Sequence, residues 1–145
     1  MYTSYVLITP ARNEEAFIEK TIQSVISQTI LPQTWVIVSD GSIDRTEEIV
    51  HRYTLLYNFI QLIQIKSNEN RNFSSKARAF NTGYTMLENV EYDFIGNLDA
   101  DISFESNYFE KILVPTIHSM GIKIETFKNV GLFGLNKRKL KIKIV

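Results

Sequence analysis

Cysteine is absent from this 145-residue chain, which excludes disulfides and thiolate chemistry. A bound metal would have to rely on carboxylates, histidine, water or a ligand's own phosphate oxygens. No run approaches the roughly 20 consecutive apolar residues of a membrane span. The opening MYTSYVLITP has neither the basic region nor the small-residue cleavage site of a signal peptide, so a cytoplasmic location is the expectation. Histidine occurs only as His51 and His118, with no partner at metal-ligand spacing, and both read as structural or surface residues. There is no G-x-S-x-G, Walker loop, G-x-G-x-x-G or Cys/His zinc pattern, and no internal repeat or low-complexity segment.

What is present is the composition of one globular domain: 44% hydrophobic and 22% charged residues, with enough length for a real core. The formal net charge of zero hides an asymmetry. Residues 1–120 hold 9 Lys/Arg against 15 Asp/Glu, whereas residues 121–145 hold 7 Lys/Arg against a single glutamate, Glu125. The closing NKRKLKIKIV alternates lysine with Leu, Ile and Val. It reads as a solvated or disordered tail, with an edge strand or a basic segment drawn to anionic lipid as the alternatives.

Strand and helix signals alternate along the chain. YVLIT (5–9) is a β-branched run closed by Pro10, followed by helical periodicity from Glu14 to Gln28. WVIVS (35–39) reads as a buried strand, and Asp44 with Glu47 as a variant capping box opening a helix to about Tyr57. FIQLIQI (59–65) gives a third strand. KSNENRNFSS is a polar loop before a helix over about 75–87, and YDFIGNL (92–98) is a fourth strand. A last helix starts at Ser106 or Asn107, with Pro115 expected to interrupt it. This order predicts an α/β fold with a mostly parallel sheet flanked by helices.

In such sheets ligands bind beyond the carboxyl ends of the strands. The notable polar residues fall there: Asn13 and Glu14 after the first strand, Asp40 after the second, Asp99 and Asp101 after the fourth. In IGNLDADIS (95–103), strand geometry would set Asp99 and Asp101 side by side on one face. Two adjacent carboxylates repel unless a positive charge neutralises them, and a hard divalent cation suits oxygen ligands; a solvated turn is the alternative. Helix-start chemistry is the alternative for the first of these groups, with Asn13 as a helix cap and Glu14 and Glu15 complementing the helix dipole. Asp40 precedes Gly41, where the chain must turn, and its carboxylate can accept from a base N–H or ribose hydroxyls. Arg71, Lys76 and Arg78 lie just before or inside a helix, where a bound phosphate would offset the unfavourable placing of cations.

Taken together, VLITPARNEE, IQSVISQT, WVIVSDGSIDRTEEI, NFSSKARAFNTGY and YDFIGNLDADISFESNYFEKIL, in that order, resemble the family 2 glycosyltransferases over roughly residues 4–114. The resemblance implies a GT-A-type nucleotide-binding domain over residues 1–120, with 121–145 a basic segment of uncertain structure. It implies a nucleoside-diphosphate sugar, UDP- or GDP-linked, held with a divalent cation, Mn²⁺ or Mg²⁺. Asp99-Ala100-Asp101 matches the D-x-D motif: Asp101 would bind the metal, and Asp99 the ribose or the metal's water shell. Asp40 matches the second acid of D-D-G-S, with Ser39 in place of the first. Pro10, Ala11, Asn13 and Glu14 would border the nucleotide, and Lys76 or Arg78 would supply a basic contact. The family transfers sugar to an acceptor hydroxyl with inversion, aided by a separate carboxylate base.

That base lies in a later segment of the family, and nothing after Pro115 matches it. The chain is therefore expected to be the nucleotide-binding half of a transferase, a natural short form or a fragment. An inactive nucleotide-binding or interaction module is the alternative reading, and a nucleotidyltransferase a weaker third. The acceptor is unknown. Self-association or a partner chain is expected, peripheral membrane contact through the basic end is open, and nucleic acid is not expected.

Overall fold

A computed structural model describes residues 4–66, 73–118, 130–132 and 140–144. Ten elements follow in chain order: β1 (Tyr5–Ala11), α1 (Ile18–Ile26), β2 (Thr34–Asp40), α2 (Thr46–Thr54), β3 (Ile60–Ile65), α3 (Phe73–Thr85), β4 (Phe94–Leu98), α4 (Tyr108–His118), β5 (Val130–Leu132) and β6 (Leu140–Ile144). The strands form one sheet in the order β3-β2-β1-β4-β6-β5. Every pairing is parallel except β5 with β6.

Alternation along the strands divides the core into two layers. Tyr5, Leu7, Trp35 and Ile37 point to one face, where they meet Ile18, Ile22 and Val25 of α1, Ile49 and Val50 of α2, and Phe109 and Leu113 of α4. Val6, Ile8, Val36 and Val38 point to the other, against Ala79 of α3 and Leu87 and Tyr92 beyond it. Central strands covered on both sides must be apolar at every position, which is why β1 and β2 read as continuous hydrophobic runs. Two polar pairings are built into this core. The Trp35 indole donates to Thr9 Oγ1 at 2.8 Å. The Tyr5 hydroxyl donates to the Ile30 carbonyl at 2.6 Å, and burial pushes that phenol far above its ordinary range, so it stays a donor.

Several local expectations change. β1 continues through Pro10, which pairs with Val38 of β2. The β1–β4 register ends at Ile8 opposite Asn97, so the proline's missing N–H falls where no second neighbour needs it. The helix expected from Glu14 begins only at Ile18, because Asn13 turns the chain with φ 53°. α4 runs through Pro115 as an 11-residue helix, losing one backbone rung but not its direction. The basic end is not simply a solvated tail: Leu140–Ile144 lies between β4 and β5, in parallel register with Phe94–Leu98. Arg71, Glu125 and Lys137–Lys139 lie outside the described residues. Among the described residues no helix is long and apolar enough to cross a membrane.

Candidate functional site

Because β1, β2 and β4 are parallel, their carboxyl ends reach the same edge of the sheet. There a cleft of about 340 Å³ opens, lined by Pro10, Ala11, Arg12 and Glu14 after β1, Asp40 at the end of β2, Ser75 and Lys76 from α3, and Asp99, Ala100 and Asp101 after β4. Residues up to 91 positions apart in sequence, Pro10 and Asp101, share one wall.

Two ion pairs order its charges. Asp40 is almost wholly buried, its side chain 6% exposed, and its Oδ1 accepts from Arg78 Nη2 at 3.0 Å. Asp99 Oδ1 accepts from Lys76 Nζ at 2.7 Å. A buried carboxylate is stable as an anion only with such a partner, so Arg78 acts from behind the cleft, on Asp40. Arg12 Nη1 and Arg78 Nε are buried without a hydrogen-bond partner; each keeps donor capacity that the protein does not use.

The loops carrying these groups are locked together. Asn13 donates its backbone N–H to Ser42 Oγ at 3.1 Å and accepts from Ile43 N–H through Oδ1 at 2.9 Å. Glu14 N–H donates to Thr46 Oγ1 at 2.8 Å, Glu15 N–H to Asp44 Oδ2 at 3.1 Å, and Arg45 N–H to Glu15 Oε2 at 3.1 Å. The β1–α1 and β2–α2 loops are thus one hydrogen-bonded unit, and Asn13 belongs to the lock and not to the cleft lining. Gly41 leaves β2 with φ 64°, a conformation that suits glycine. Glu47 does not close a capping box. Its carboxylate turns to Ser39 Oγ, at 2.6 Å, and to the Gln64 amide.

Asp99 and Asp101 do not share a strand face. β4 stops at Leu98, and Asp99–Asp101 lie in the turn beyond it. Thr21, buried in α1, draws that turn down: its hydroxyl lies 2.8 Å from the Ala100 carbonyl and 2.7 Å from that of Ile102. A hydroxyl has one proton, so the two carbonyls share it. Both carboxylates still reach the same cleft, Asp99 with its side chain 17% exposed and Asp101 open to solvent. Among the described residues no three His, Cys, Asp or Glu side chains cluster as a ready metal cage. Two carboxylates fit instead the donor set of a cation that takes its other oxygens from phosphate and water.

Seven of the nine residues proposed from the sequence line the cleft: Pro10, Ala11, Glu14, Asp40, Lys76, Asp99 and Asp101. Arg78 and Asn13 support it from outside. Arg12, Ser75 and Thr21 escaped the sequence reading. Arg12 lies between Pro10 and the acidic Glu14 and Glu15, whose charges dominate the local pattern, while a threonine on the apolar face of α1 carries no signal of its tether.

Residues 6–117 match the sequence profile described as Glycosyl transferase family 2. The chain belongs to that family. The glycosyltransferase GlyA of Streptococcus pneumoniae is 31% identical over 106 residues, which is 73% of this chain and 14% of that protein. Across relatives of this kind the chain spans between 14% and 39% of their lengths. Among solved structures, S. aureus TarS in complex with UDP-GlcNAc superposes with a TM-score of 0.61 at 22% identity, covering 94% of this chain and 36% of TarS. The mannosyltransferase PcManGT from Pyrobaculum calidifontis, in complex with GDP-Man and Mn²⁺, gives 0.60 at 23% identity over 95% of this chain and 37% of its own. The family 2 domain accordingly has the GT-A architecture, a mostly parallel sheet flanked by helices.

Proposed function

We propose that this family 2 domain binds a nucleoside-diphosphate sugar, UDP- or GDP-linked, together with Mn²⁺ or Mg²⁺, as the donor half of an inverting transfer to an acceptor hydroxyl. The observation that carries the reading is the convergence of Asp40, Lys76, Asp99 and Asp101 in one cleft at the carboxyl ends of three parallel strands. Structural neighbours bound to UDP, UDP-GlcNAc and GDP-Man support it.

In this reading Asp40, held by its ion pair with Arg78, accepts hydrogen bonds from a base N–H or ribose hydroxyl at the floor of the cleft. Pro10 and Ala11 present backbone along the nucleotide. Asp101 would hold the cation, with Asp99 beside it toward the ribose or the cation's water. Lys76 is the preferred basic contact for the diphosphate, because it lines the cleft and Arg78 does not. The cation supplies charge neutralisation at the departing diphosphate. In the transfer the acceptor oxygen bonds to the anomeric carbon as the bond from that carbon to the diphosphate oxygen breaks, and the acceptor's proton passes to a base outside the residues named here.

Calorimetric titration of UDP and of GDP, with Mn²⁺ and with chelator, tests the reading. We expect binding that requires the metal and is lost in Asp101→Ala. Affinity unchanged by chelator or by that substitution would remove the metal-bridged diphosphate from the account.

A further inference from the structure

The Lys76–Asp99 pair has a consequence for how metal and nucleotide would arrive, which rests on the donor-site reading above. Lys76 Nζ lies 2.7 Å from Asp99 Oδ1, and the two side chains differ in freedom: Lys76 is 55% exposed, Asp99 only 17%. Lys76 is the fourth residue of α3, in the first turn, where the helix dipole disfavours an ammonium. Its contact with Asp99 offsets that placement. A lysine head on a flexible four-carbon stem can swing to another anion, whereas Arg78 is fixed by its bond to the buried Asp40.

A divalent cation held by Asp101 beside Asp99 would meet the ammonium at close range, and two positive charges facing one carboxylate repel. We propose that Lys76 is a resident counter-ion of Asp99 that a divalent cation must displace, and that the displaced ammonium then serves the diphosphate. The same charge therefore opposes metal binding on its own and supports diphosphate binding once metal is present. Metal and nucleotide strengthen each other's binding through it, by an equal factor in both directions. Lys76 is in this sense a positioning residue that enforces joint loading.

The test is titration of Mn²⁺ alone, followed by free-Mn²⁺ paramagnetic resonance, into wild type, Lys76→Met and Lys76→Arg. The nucleotide probe is whichever of UDP and GDP binds the wild type. Methionine keeps the stem and removes the charge at an exposed position, so folding is not at stake. We expect Lys76→Met to bind Mn²⁺ alone roughly fivefold or more tightly, to bind Mn²⁺-nucleotide less tightly, and to show reduced coupling between the two. Lys76→Arg, which keeps the charge, should leave Mn²⁺ alone as weak as in wild type. If wild type binds Mn²⁺-nucleotide but Lys76→Met binds Mn²⁺ alone no more tightly, the counter-ion role is overturned and the donor site stands. If wild type binds neither nucleotide with Mn²⁺, the donor reading falls and this inference falls with it.

Discussion

Asp44 gathers three hydrogen bonds on one carboxylate: from Thr46 N–H at 2.9 Å, from the Thr46 hydroxyl, and from Glu15 N–H at 3.1 Å. Burial alone would push its pKa up, but these donors outweigh it and hold the carboxyl below its ordinary value of 3.8. The sign of the linkage follows. Above the ordinary value the group is ionised folded or unfolded, and its contribution is fully present. As pH falls through that value the unfolded chain takes up the proton first, and the contribution is lost as pH drops through the folded-state pKa. Asp44→Ala removes the acceptor of all three bonds and should cost about 1 kcal/mol at neutral pH. The deficit should shrink below about pH 4. Urea unfolding at pH 7 and at pH 3 checks it; an equal deficit at both would assign the loss to packing. The sequence showed Asp44 as a helix-start residue, but its bond to Glu15 N–H joins two loops and has no local pattern to betray it.

At the scale of elements, Gly83 decides how α3 lies on the sheet. A Cβ built there would sit 2.8 Å from Ile8 Cγ2 and 3.1 Å from Val38 Cγ2. Both atoms are β-branched methyls of fully buried strand residues, so neither can swing aside. Alanine would gain roughly 1 kcal/mol in helix propensity, against an overpacking cost of about 1–3 kcal/mol. The clash should win: Gly83→Ala is expected to lower stability by about 1 kcal/mol, and the melting temperature by about 2–4 °C. An unchanged or higher melting temperature would mean that α3 is not held this closely. The helix itself was legible in the sequence, as were the four strands of the parallel core, because burial on both faces leaves so plain a hydrophobic signature in β1 and β2. What stayed hidden were long-range effects on local signals. Pro10 ends no strand because β4 has already parted from β1, and the D-A-D turn depends on Thr21, some 80 residues away.

At the scale of the whole molecule, the boundary expected near residue 120 can be set against the sheet. β6 pairs with β4 over five consecutive positions, Phe94–Leu140 to Leu98–Ile144, and β5 closes onto β6 in antiparallel register. The alternation of lysine with Leu and Ile could not distinguish a tail from a strand, because a strand's identity comes from its neighbour and β4 lies more than 40 residues earlier. Removing residues 121–145 would strip β4 of that neighbour and leave its backbone N–H and C=O groups on an open edge beside the loop that carries Asp99 and Asp101. Unpaired edges recruit other chains. The +6 balance of the segment would go too, leaving the remainder with 9 Lys/Arg against 15 Asp/Glu, a net charge that favours solubility. The two effects oppose each other. The edge should prevail, because exposed ladder groups act at contact range while a net charge of this size is screened beyond about 8 Å at physiological salt. Residues 1–120 alone should therefore melt at a lower temperature than the full chain and associate as salt is raised, as read by light scattering after size exclusion. A monomer at high salt with an unchanged melting point would show that the domain is complete without β5 and β6.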